Sequence, residues 1–105
     1  MKRARISPSG ARDELRGAIA YDEGERRGRG ANLEEAVRRV IRRIQLLPQS
    51  APRWPRIESA HEIRRSKVRR HPYLVVYAVL PDQLVVLAIA HTSKKPGYWR
   101  ERIEK

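Results

Sequence analysis

The chain has 105 residues, with 24 Lys and Arg against 12 Asp and Glu and a formal net charge of +12. The absence of cysteine excludes disulfides, thiolate metal sites and a cysteine nucleophile. No run reaches the ~20 apolar residues of a membrane span, and Met1-Lys2-Arg3-Ala4-Arg5-Ile6 lacks the apolar centre of a signal peptide. The length suits one domain over 1–105 with a thin core. It is expected in the cytoplasm, without a membrane partner. The charge points to a polyanionic macromolecule or, equally simply, to a solvated Arg-rich surface.

Residues 3–7 alternate weakly and suit a short edge strand. Ser7-Pro8 reads as a helix N-cap followed by proline at the first helical position. The helix is predicted to run to about Arg27, with Ala11, Leu15, Ala18 and Ile19 on its inner face. Gly24, Gly28 and Gly30 then loosen the chain. Asn32-Leu33-Glu34-Glu35 has the spacing of a capping box. The second helix carries one apolar stripe, Leu33, Val37, Val40, Ile41, Ile44 and Leu47, with Arg38, Arg39, Arg42 and Arg43 facing away and Pro48 as its stop. The two helices form a predicted αα-hairpin. Pro48, Pro52 and Pro55 predict an irregular crossing loop pinned by Trp54.

A strand at about 60–65 follows, then two apolar strands at 73–80 and 84–90 joined by Leu80-Pro81-Asp82-Gln83, which suits a type I turn. The order β-α-α-β-β-β gives an α+β fold, a helical hairpin packed on a small, mainly antiparallel sheet. Leu74, Val76, Ala78 and Leu80 lie on one side of the first apolar strand; Tyr73, Val75, Tyr77 and Val79 lie on the other. One side packs on the helices. The second side is expected to be covered partly by Tyr98 and Trp99 and otherwise by a partner chain, or else to lie shallow and partly exposed.

Arg64, Arg65, Lys67, Arg69 and Arg70 fall within seven residues, and alternation puts Arg65, Lys67 and Arg69 on one face. Arginine forks suit phosphate or carboxylate; a solvated charged turn is the plainer reading. Lys94, Lys95, Arg100 and Arg102 flank Tyr98 and Trp99, a pattern that serves base stacking or anchors a tail. His61 and His71 read as surface residues, and His91 as a structural hydrogen-bonding group. Asp13 with Glu14, and Asp22 with Glu23 and Glu25, read as a solvated face. No metal-ligand, phosphate-loop or Ser/His/Asp pattern is present, and no cofactor or metal is expected.

Ile6-Ser7-Pro8, Ala18-Ile19-Ala20-Tyr21, the stripe ending at Pro48, Ile63-Arg64-Arg65, Pro72 through Tyr77, and Val86 through His91 with Pro96-Gly97-Tyr98-Trp99 together resemble the ParE/RelE superfamily of type II toxin–antitoxin toxins. The closer likeness is to the ParE branch, the plasmid-stabilisation proteins. The resemblance implies the same β-α-α-β-β-β fold, a growth-arresting toxin, and an acidic amphipathic antitoxin that wraps it in a hetero-oligomer. ParE-type members bind DNA gyrase. RelE-type members cut messenger RNA in the ribosome with Lys, Arg and a C-terminal Tyr. Carried over, that RNase set is Arg65, Lys67, Lys94 and Tyr98, but the Arg that follows the strand Tyr in RelE-type toxins is Leu74 here, after Tyr73. Its loss removes a charge that stabilises the transition state. The resemblance thus favours a gyrase-binding toxin over an RNase. A non-toxic nucleic-acid-binding module is a further reading. The basic hairpin, the strand start beside it and the basic, aromatic tail supply the candidate target- or antitoxin-binding residues: Arg64, Arg65, Lys67, Arg69, Arg70, Tyr73, Lys94, Lys95, Tyr98, Trp99 and Arg100.

Overall fold

The computed structural model describes residues 1–55 and 61–102. The chain runs β1 (Arg3–Ile6), a π-helical turn (Pro8–Arg12), α1 (Asp13–Glu25), α2 (Arg29–Leu46), β2 (Glu62–Lys67), β3 (Tyr73–Val79), β4 (Gln83–His91) and a 3₁₀ turn (Arg100–Arg102). The sheet order is β1-β4-β3-β2. β2 and β3 pair antiparallel, as do β3 and β4, while β1 adds to β4 in parallel as an edge strand. The expected β-α-α-β-β-β order and mainly antiparallel sheet are therefore present. Of the strand expected at 60–65, residue 60 lies outside the described residues, and β2 extends two residues further than expected.

The helical hairpin closes more tightly than expected. α1 ends at Glu25 rather than near Arg27, because Arg26 is extended. α2 starts at Arg29, so Asn32 is already inside it and the capping box does not form. The cap comes instead from the neighbouring helix: the Glu23 carboxylate accepts the backbone N–H groups of Gly28 and Gly30, each at 3.1 Å. This satisfies donors that a helix start leaves unpaired. Gly28 sits at φ 89, a left-handed conformation. A side chain at Gly30 would meet the Ile19 carbonyl oxygen at 2.7 Å, so only glycine lets the helices approach here.

Two cores flank the sheet. On the helix side, Leu33, Val37, Val40 and Ile44 of α2 pack with Tyr73, Val75 and Tyr77 of β3 and Leu84, Val86 and Ile89 of β4. Leu47 departs from the predicted stripe: helix geometry has ended and it is 59% exposed. On the other side, Ile63, Val76, Ala78, Val85, Leu87, Ala88 and Ala90 are buried with Trp99, and Trp54 packs against them. The two indole rings meet edge to face at 5.4 Å. This second face needs no partner chain, contrary to expectation, because the crossing loop and the C-terminal segment already cover it.

A register shift between Val76 and Tyr77 leaves one extra residue in β4. Leu87 and Ala88 consequently share a face although they are adjacent. The β3–β4 connection is closed by Leu80 N–H on the Gln83 carbonyl at 2.9 Å. The Lys2 ammonium donates to the Leu80 and Pro81 carbonyls at 2.8 and 3.0 Å.

Candidate functional site

Strand alternation distributes the basic cluster over both faces of β2. Arg64 lies opposite Tyr77 on the helix side, while Arg65 and Lys67 lie opposite Val76 and Leu74 on the other. Each of the three is tied into the fold. Arg64 pairs with Glu62 and donates to the carbonyls of Ala51 and Gln49, at 2.5 and 3.3 Å, holding the crossing loop against β2. Arg65 donates to the Arg53 carbonyl at 3.2 Å, and its guanidinium stacks 5.0 Å from the Trp54 ring centroid. Lys67 donates to the carbonyls of His71 and Val68 and so braces the β2–β3 turn. Arg69 does not continue the Arg65–Lys67 face, because β2 has ended at Lys67.

Arg69 and Arg70 are instead exposed at the tip of that turn. They overhang a cleft of about 760 Å³ between the turn and α2. From the helix side, Arg29, Arg39 and Arg43 reach the same cleft, whose floor includes Ala36 and Val40. Among the described residues Glu35 is the one carboxylate on its walls, and it faces Arg39 across a single exposed helical turn at 3.4 Å. Exposed pairs of this kind offset little charge. The cleft therefore presents a concave, strongly cationic wall suited to carboxylates or phosphates.

His71 closes the inner end of the cleft and is buried at 8% exposure, not the surface residue expected. Its Nδ1 lies 3.8 Å from Oδ2 of Asp22, which is 5% exposed and lies 3.5 Å from the Arg29 guanidinium. Asp22 is thus no part of a solvated face. Burial pushes the His71 imidazole below the ordinary histidine range, with Arg29 and Lys67 acting in the same direction and Asp22 opposing. This cluster ties α1, the start of α2 and the β2–β3 turn into one unit.

The C-terminal residues lie elsewhere. Trp99 is 1% exposed and is an anchor rather than a stacking platform. The Tyr98 hydroxyl donates to Oε2 of Glu14 at 2.5 Å. Glu14 also accepts two hydrogen bonds from Arg102, the shorter at 2.9 Å, and one from the Ile89 N–H at 3.1 Å. Burial, reinforced by the bond to this carboxylate, pushes the Tyr98 hydroxyl well above the usual phenol range. Glu14, expected on a solvated face, is the post to which the tail is fastened. Arg102, flanking the predicted tail cluster, holds it there and stacks at 5.2 Å on Tyr98.

Lys94 lies 5.9 Å from the Tyr98 ring, and Lys95 and Arg100 are exposed. Tyr73 is buried, its ring edge-on to His91 at 5.3 Å. His91 accepts from the Ser93 N–H at 3.1 Å, the structural role expected of it.

The structure thus separates the nominated residues. Arg69 and Arg70 join a cleft with the α2 arginines, while Lys94, Lys95 and Tyr98 line a smaller one beside Trp54 and Trp99. Arg39 and Arg43 were visible in sequence only as part of a polar helix face, and Arg29 fell in the expected glycine-rich link; their meeting with the turn depends on the tertiary fold. Among the described residues there is no cluster of three or more metal-ligating side chains, and no helix is long and apolar enough to cross a membrane. A family model described as the ParE toxin of type II toxin-antitoxin system, parDE, matches residues 8–96. No curated protein matches the chain.

Proposed function

The chain belongs to the ParE toxin family of type II toxin–antitoxin systems, and on that footing we propose that it arrests growth by binding DNA gyrase rather than by cutting RNA. It is the toxin component of its system, whose other component is an antitoxin. The antitoxin in this proposal is acidic, in keeping with a toxin carrying a net charge of +12.

One observation carries the choice of binding over cleavage: three of the four groups that an RNase mechanism would take from this chain, all but the exposed Lys94, are already committed. Arg65 is stacked on Trp54, Lys67 braces turn carbonyls, and Tyr98 donates to Glu14. General acid–base catalysis works best with a group that titrates near the operating pH. A phenol held well above its ordinary range by burial and a carboxylate is a poor base. Leu74, where an arginine would follow the strand tyrosine, offers no charge to a transition state.

The decisive experiment is a gyrase supercoiling assay with the purified chain, run beside mapping of message 3′ ends after induction. Inhibited supercoiling, retained by Tyr98→Phe, is the expected result. Codon-linked cuts abolished by Tyr98→Phe would replace this reading with the ribosomal RNase. No growth defect on induction would leave a non-toxic binding module.

A further inference from the structure

Where β2 ends, its outer edge borders a smaller cavity of about 430 Å³, walled by Arg43, Lys67 and Arg69 and by Ser50 and Pro52 of the crossing loop, with Ser66 at its base. The hydrogen-bond acceptors around it are already used. The Ala51 carbonyl takes the Arg64 guanidinium, and the Pro52 carbonyl takes the Arg65 N–H at 3.0 Å. The Leu47 carbonyl takes the Ser50 hydroxyl at 2.8 Å. Among the described residues no carboxylate lines the cavity.

The donors are not used up. Arg43 reaches down from α2 and gives one N–H to the Ser66 hydroxyl oxygen at 2.8 Å, which leaves the rest of its five-donor fork open. Ser66 is 2% exposed, yet its partner there is itself a donor, and among the described residues nothing accepts the hydroxyl proton. A buried donor of this kind costs stability until an acceptor meets it. β2 adds a backbone donor. Val68 N–H turns inward to the Tyr73 carbonyl and Arg65 N–H turns outward to Pro52. Alternation along the antiparallel ladder therefore turns the Lys67 N–H outward too, on the edge that borders the cavity. The Lys67 ammonium is held by the Val68 and His71 carbonyls and adds positive field rather than a bond. Arg69 lines the cavity from beyond the end of the strand and is exposed.

We propose that this cavity binds the phosphate group of a small anion, either inorganic phosphate or a phosphate monoester. A phosphate group presents three strongly accepting oxygens. They answer donors that come from three directions: the Arg43 fork from α2, Ser66 and the Lys67 N–H from β2, and Arg69 from the turn. A carboxylate has two oxygens in one plane and would leave one direction unanswered. No Phe, Tyr or Trp lines the cavity, so a nucleobase would have nothing to stack on. The assignment depends neither on gyrase binding nor on the reading of the chain as a toxin.

The test is isothermal titration calorimetry on the full chain with inorganic phosphate, glycerol phosphate and acetate, all at one ionic strength. Both phosphates are expected to bind about tenfold tighter than acetate. Tighter binding of glycerol phosphate would make the ligand a monoester, and tighter binding of inorganic phosphate the free ion; either order supports the cavity. Arg43→Lys keeps the charge and loses the fork, and should weaken phosphate about fivefold. Ser66→Ala should weaken it severalfold. Arg42→Gln removes a charge from an exposed neighbour that lines neither cleft and should change little.

Far-ultraviolet circular dichroism checks that each variant folds, and the parent chain supplies a reading that needs no variant. Added phosphate should shift the Lys67 amide resonance in the ¹H–¹⁵N spectrum. Acetate binding as tightly as phosphate, an equal loss in Arg42→Gln and Arg43→Lys, or an unmoved Lys67 amide would each overturn the proposal.

Discussion

His71 and Asp22 face each other within the interior with no hydrogen bond at Nδ1 or Oδ2, an arrangement that makes stability sensitive to protonation. The charged groups around the imidazole come from three elements: Asp22 on α1, Arg29 on α2 and Lys67 on β2. Burial dominates and lowers the folded-state pKa below its unfolded value of about 6.5. The unfolded chain therefore binds the proton more readily. The stabilisation is present above pH of about 6.5 and is lost as pH falls toward the folded-state pKa. Urea denaturation at pH 7.5 and 5.5 should show a loss of stability that His71→Asn reduces. An identical loss in the variant would remove His71 as its source. Nothing in the residues around His71 marks this role, because a histidine beside a proline-containing turn looks solvated until α1 is laid over it. Glu14 was hidden for a related reason: Arg102, its strongest partner, lies 88 residues away.

At the level of elements, α2 is the clearest segment in the sequence and yet begins differently from its local signal. Asn32 with Glu35 offered a capping box, but the chain prefers to extend the helix back to Arg29, because Glu23 supplies a carboxylate to the N–H groups of Gly28 and Gly30. A cap delivered from the preceding helix leaves no pattern in the residues it caps. Glu23→Ala should cost about 1 kcal/mol, the usual worth of a lost N-cap acceptor, and Glu23→Gln less, as read from urea midpoints. A variant as stable as the parent would show that water replaces the carboxylate without loss. β3 and β4 were legible from their apolar runs, and so were the two faces of β3. The extra residue in β4 was not, since a continuous run Leu84 through Ala90 offers no polar residue to mark where the alternation breaks. The burial of the second sheet face was under-read for want of the crossing loop, where Trp54 meets Trp99.

Over the whole molecule, four carboxylates serve joints between elements while many of the cations stay at the surface. Glu14 fastens the tail, Asp22 and Glu23 join the helices, and Glu62 holds Arg64. Arg69, Arg70, Arg42 and Lys95 stay exposed. A net charge of +12, with Arg29, Arg39, Arg43, Lys67, Arg69 and Arg70 gathered around one cleft, should steer an acidic partner toward it before any contact forms. Steering reaches as far as the Debye length, about 30 Å at 0.01 M salt and about 8 Å at 0.15 M. The association rate of a short Glu- and Asp-rich peptide should therefore fall roughly tenfold or more over that range, with a smaller change in dissociation. Position should matter as well as sum. Arg70→Gly and Arg38→Gln remove the same charge, but Arg38 is engaged with Glu34 at 3.3 Å on the outer helix face. Stopped-flow measurements should find the Arg70 variant slower to associate, and equal rates for the two would mean that net charge alone, without its arrangement around the cleft, draws the peptide in.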